Sequence, residues 1–218
     1  NKGLVDSAGN VVNEKSYKKL IEGIPKAVRK DFNTYAQHLH NIDRIREGKP
    51  VFKQFTADES QQIVDDMLKQ HPEFAEYTKN INEWWNEFIK TWLVDTGRIS
   101  QESFDAMKKM YPNYIPTYRV GKSMGGGADL PNRFNAGSGI RKAKGGTSDV
   151  IPLEDNFLAQ INRIVSSTKK NDLYSSIIRE LEASPEELKP FGVAISNKDV
   201  LKDTSLDDLL TGLEKQRL

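Results

Sequence analysis

The chain contains no cysteine. Disulfide frameworks, thiolate metal sites and cysteine nucleophiles are thereby excluded. Only three histidines, His38, His40 and His71, are available for proton or metal chemistry near neutral pH. No H-E-x-x-H string occurs, no apolar run approaches the roughly 18 residues of a membrane span, and no signal-peptide pattern opens the chain. Beginning at Asn1 and not at Met, the sequence reads as a piece of something longer. What is there is 218 residues, 29% charged and 37% hydrophobic: polar for a globule, but long enough to bury a core.

The net charge of +1 conceals a pattern. Residues 1–50 carry a balance of +4, residues 51–118 −4, residues 119–148 +5 and residues 149–218 −4. The third block is short, and it holds eight of the 15 glycines.

Hydrophobic periodicity predicts a mainly α protein of six to eight helices in an irregular bundle. A short helix is expected over about residues 14–21. From Pro25 to Glu47, Val28, Phe32, Tyr35, Leu39, Ile42 and Ile45 recur every three or four residues, and Gly48 and Pro50 then stop the helix. Thr56 with Glu59 spells a capping box for a helix ending near Gln70. Residues 72–95 hold all three tryptophans on one broad apolar face. Ser100 caps a shorter helix carrying Phe104, Met107 and Met110. Pro112 and Pro116 make residues 111–118 extended. A long helix runs from Pro152 to about Glu182, Ser184 and Glu187 suggest another cap, residues 191–195 are a strand candidate, and a last helix follows Ser205. The expected organisation is an N-terminal extension over 1–23, a helical core over 24–118, a Gly-rich basic loop or linker over 119–149, and a long helix plus C-terminal helical segment over 150–218.

Three constellations bear on chemistry. Gly121-Lys122-Ser123 resembles the end of a phosphate-binding loop, but Pro116 stands where the motif needs its first Gly and no helix is predicted after the Lys. A dinucleotide fingerprint through Gly125 and Gly127 fails at Leu130. His38 and His40 lie about 200° apart around a helix, so one ion cannot take both. Even with Asp43 and His71 they form no ligand pattern, and one packed and one solvated histidine is the expectation. The acidic clusters Asp65-Asp66, Glu83 with Glu87, Glu186-Glu187 and Asp207-Asp208 read as solvated helix faces. No metal or cofactor is expected.

The basic block carries the strongest lead. Arg119, Lys122, Arg133, Arg141, Lys142 and Lys144 alternate with glycines and a single acid, Asp129. Such a segment can lie along a phosphate backbone, with Tyr111, Tyr114 and Tyr118 as stacking faces for unpaired bases. The competing reading makes the tyrosines anchors of an extended segment on a helical core, and the basic loop a solvated linker.

Two stretches resemble a known group. Asp31-Phe-Asn-Thr-Tyr-Ala-Gln-His-Leu-His-Asn-Ile-Asp-Arg44, and Ile99-Ser-Gln-Glu102 followed by Met110-Tyr-Pro-Asn-Tyr-Ile-Pro-Thr-Tyr-Arg119, are similar to segments of the large polyvalent proteins of bacteriophages and mobile elements. Gly145-Gly-Thr-Ser-Asp149, leading into Ile151-Pro-Leu153, fits the same group. The resemblance spans about residues 31–165 and implies a large polyvalent protein-associated domain. It implies a place in the bacterial cytoplasm or phage virion, with the parent protein's other domains or a phage or host protein as partner. The expected function is a non-catalytic interaction or spacer module. The alternatives are a nucleic-acid-binding module using the basic loop, and an enzyme with its site near His38, His40 and Tyr111 to Arg119. A membrane partner is not expected.

Overall fold

Gly9, at φ +92°, turns the chain between two short antiparallel strands, β1 (Leu4–Val5) and β2 (Val11–Asn13). Asp6 closes the turn, its carboxylate accepting from the Asn10 amide at 2.8 Å. A Cβ on Gly3 would lie 1.8 Å from the Asn13 carbonyl oxygen, so only glycine fits there. The sequence predicts only a polar turn in this region. The helices hold the hairpin and the chain just after it: Trp92 Nε1 donates to the Val5 carbonyl at 2.9 Å, and Trp84 Nε1 donates to the Lys15 carbonyl, two residues past β2, at 3.0 Å.

The computed structural model describes residues 3–118 and 150–183. Among them are six α-helices, and the fold is mainly helical, as the periodicity predicts. Ser16 caps α1 (Tyr17–Glu22). A 3₁₀ turn over Lys26–Val28 then leads into α2 (Arg29–Arg46), and the left-handed Gly48 follows its end. Thr56 and Glu59 form the expected reciprocal cap on α3 (Ala57–Gln70). The Trp-rich helix α4 (Phe74–Ile89) widens into a π-helical turn over Lys90–Val94. That wider turn accompanies unusual partners for the Trp92 carbonyl, which accepts from Thr96 Oγ1 at 2.7 Å and from Thr168 Oγ1 at 3.3 Å. Ser100 caps α5 (Gln101–Met110), and α6 spans Leu153–Ala183.

One core joins these elements. Leu4 and Ile21 from the N-terminal residues, Phe32 from α2, Trp85 and Phe88 from α4, Ile115, and Phe157 and Ile164 from α6 belong to the same buried cluster. Phe157 is fully buried, with its ring 5.3 Å from Tyr17 and 5.1 Å from Trp85. Arg98 pins α6 further along, donating to the Thr168 carbonyl at 3.2 Å and to Asp172 at 3.0 Å. The basic segment 119–149, the cap at Ser184, the strand candidate 191–195 and the helix after Ser205 lie outside the described residues.

Candidate functional site

Residues 111–118 cross the C-terminal half of α2 as a strap. Pro112 and Pro116 prevent a helix, and Ile115 is buried, so the flanking tyrosines are presented to the bundle. The Tyr114 ring stacks on Trp85 (5.7 Å, 11°) and meets the edge of His40 at 5.6 Å. The Tyr111 hydroxyl accepts from Arg44 at 2.8 Å and donates to Glu47. The Tyr118 hydroxyl donates to Gln160 on α6. These contacts are those of anchors. Burial pushes the Tyr114 phenol well above its ordinary range.

Beneath the strap α2 supplies a charged row. Asp43 accepts from the Asn113 amide at 3.1 Å and from its side chain at 3.3 Å, and it pairs with Arg46 at 3.4 Å. Burial raises its carboxyl, and the Asn113 bonds and Arg46 oppose that rise. Arg44 pairs with Glu47 at 3.2 Å and lies over the Tyr111 ring at 5.3 Å. Lys49 also reaches Glu47, at 3.7 Å.

The histidines correct the expectation of one packed and one solvated side chain. His38 is 6% exposed and His40 is 3% exposed. They point to opposite sides of α2, as their spacing requires, but both sides are covered. His38 lies against Phe52 and Phe55, with Nδ1 3.3 Å from Ser60 Oγ. A Ser–His contact is the geometry of an activated nucleophile. Ser60 is nevertheless 0% exposed, and its oxygen accepts from Asn41 Nδ2 at 2.9 Å. Asn41 in turn accepts from the Phe52 amide at 2.9 Å. This is a network that fixes the α2–α3 connection. His40 Nδ1 has no hydrogen-bond partner, and burial next to Arg44 pushes its pKa down to about 3. His71 stacks on Phe74 at 4.7 Å and contacts Glu73, away from the other two. Among the described residues no group of three or more acidic or His side chains is placed to hold a metal ion.

The two ends that flank the basic segment meet. The Ile151 amide donates to the Tyr118 carbonyl at 3.0 Å. Asn156, fully buried on α6, accepts from the Tyr118 amide at 2.5 Å and donates to the Ile151 carbonyl at 2.7 Å. Asn33 on α2 accepts from the Leu153 amide at 2.9 Å and so holds the start of α6. The sequence does not announce this neck, since Asn156 and Gln160 fall in a helix marked by its apolar stripe and their partner Tyr118 lies about forty residues away.

Of the sequence-predicted nucleic-acid contacts, Tyr114 and Tyr118 are thus placed on the core and at the neck. Arg119, Lys122, Arg133, Arg141, Lys142 and Lys144 lie outside the described residues. So does Gly121-Lys-Ser-Met-Gly125, which also spells G-x-S-x-G. That spelling carries a nucleophile on a strand-to-helix turn, and the residues that would form one lie outside the described residues. The acidic pairs divide: Glu83 and Asp66 face lysines on the surface, whereas Glu87 accepts from Asn13 of the hairpin at 2.5 Å.

No helix among the described residues is long and apolar enough to cross a membrane. No protein-family model, curated protein or solved structure matches the chain.

Proposed function

We propose that the protein is a non-catalytic helical module that presents residues 119–149 from a rigid neck to a partner. The observation that carries this reading is the pairing of Tyr118 with Ile151 under Asn156. A bundle that invests a fully buried amide in holding two chain ends together is a platform for what lies between them. The side chains that an enzyme reading would recruit are engaged otherwise: His38 and Ser60 in a closed network, His40 under the strap, Tyr111 between Arg44 and Glu47. The resemblance of the quoted strings to phage and mobile-element polyvalent proteins supports reading it as one module of a larger chain, with neighbouring domains, a phage protein or a host protein as its partner.

The charge of the presented segment favours a second reading, nucleic acid as that partner. Six basic side chains against one acid over residues 119–148 supply a salt-sensitive grip on phosphates, without base specificity. The test is binding of single-stranded and duplex DNA at about 50 mM salt. Retention that weakens with added salt, and is lost when Arg141, Lys142 and Lys144 become alanine, supports nucleic acid. Absence of binding at low salt rejects it. The platform reading is tested separately, by Asn156→Leu, which breaks the neck and must weaken whatever partner the intact chain binds.

A further inference from the structure

His40 is a basic group enclosed where a second proton has no acceptor. Its Nδ1 has no hydrogen-bond partner and the ring is covered by Tyr111 and Tyr114, and the nearby Asn113 backbone favours the proton less than burial and Arg44 oppose it. The charged and titratable groups around it offer an imidazolium nothing. On α2 and at its cap, Arg44 is itself a cation, Glu47 is shared among Arg44, Lys49 and Tyr111, and Asp43 is taken by Asn113 and Arg46. On the strap, Tyr111, Tyr114 and, at its end, Tyr118 are neutral phenols, and from α6 the cation Arg163 acts on Tyr114. A charged imidazole therefore stays only by moving what covers it, and the cover is the strap.

We propose that His40 and residues 111–118 form an acid-sensitive latch, in which protonation of the imidazole frees the strap from α2. The latch goes beyond presentation of a segment, because it makes the attachment of one side of the neck depend on pH. Its direction follows from linkage. The closed form disfavours the proton, so opening is promoted as pH falls below the ordinary histidine value of 6.5. Asp43, whose buried carboxyl is raised, works the other way as the carboxylate range is approached, so the test belongs above about pH 5.

The experiment is hydrogen exchange of the full chain, corrected for the intrinsic pH dependence of exchange. Protection of the Asn113 amide, which is bonded to Asp43, should fall roughly fifteenfold between pH 6.5 and about pH 5, the slope approaching tenfold per unit at the acid end. The Ser60 amide of α3, bonded to Thr56, should keep its protection. In His40→Phe, which retains a ring under Tyr114 but has no proton to gain, the Asn113 loss should vanish. Equal loss at Asn113 and Ser60 would mean global unfolding, and an unchanged Asn113 would mean no latch; either overturns the proposal. If His40→Phe fails to fold, nitrogen NMR of the wild-type imidazole decides. A neutral ring at pH 6 with Nδ1 unprotonated is required, and titration near 6.5 sinks the idea.

Discussion

Tyr118 and Ile151 flank a segment of about thirty residues, yet the Ile151 amide donates directly to the Tyr118 carbonyl at 3.0 Å. The ends of the basic segment are therefore closed on each other, and α6 is packed on the same core as the helices before it. Closing such a loop costs chain entropy that grows only slowly with its length. A few well-made bonds and the burial of Phe157 offset it.

Asn156 carries most of that closure. Asn156→Leu conserves volume but leaves the Tyr118 N–H and the Ile151 carbonyl without the partner that now satisfies them. Each bare buried group costs about 1–3 kcal/mol. Urea denaturation should show a loss above about 2 kcal/mol, whereas Leu158→Ala, on the exposed side of the same helix, should stay within about 0.5 kcal/mol of wild type. Equal effects from the two substitutions would remove Asn156 from its role.

Phe157→Ala tests whether α6 is part of one cooperative unit. The side chain is fully buried between Tyr17 and Trp85, so truncation should cost about 3–5 kcal/mol. The variant should still melt in one transition reported equally by tryptophan fluorescence and by helical circular dichroism. Two separated transitions would mean that α6 is an appendage.

The parts legible in the sequence are those decided by neighbours in the chain. Thr56 and Glu59 cap α3 because both partners lie within one turn, and Ser100 caps α5 for the same reason. The hairpin is not legible, since strands of two and three residues show no period and their contacts to Glu87 and Trp92 lie more than 70 residues away. The same distance in sequence hides the π-helical turn and the neck. Nothing near Asn156 announces that Tyr118 will need its oxygen. His38 and His40 show the limit from the other side: their angular separation was readable, but not that Phe52, Phe55 and the strap cover both flanks of α2.

Ser60 separates the structural from the catalytic reading of the His38 pair. Ser60→Ala strands Asn41 Nδ2 and removes the partner of His38 Nδ1, which predicts about 1–3 kcal/mol of destabilisation by thermal or urea melting. A serine-reactive phosphonate should leave the folded wild-type protein unlabelled at this position, because the hydroxyl is 0% exposed. Stoichiometric labelling of Ser60 in the native state would revive the nucleophile.

Alkaline pH should unfold the protein through its buried phenols. Tyr17, whose hydroxyl faces the Leu153 carbonyl, and Tyr114, stacked on Trp85, both have phenol pKa values raised by burial, with Glu154 and Asp155 adding to the rise at Tyr17. The folded state thus holds these protons more tightly than the unfolded chain does. Their contribution to stability is complete below the ordinary tyrosine value of 10.0, and it is lost as pH rises through the raised folded values. Phenolate absorbance should accordingly appear in two stages: exposed tyrosines first, then a second rise coincident with loss of helical circular dichroism. Tyr17→Phe removes one of the two buried phenols while keeping its ring against Trp84 and Phe157, so its helical signal should survive to higher pH than that of wild type. An unshifted alkaline midpoint in that variant would show that Tyr17 is not among the groups that set it.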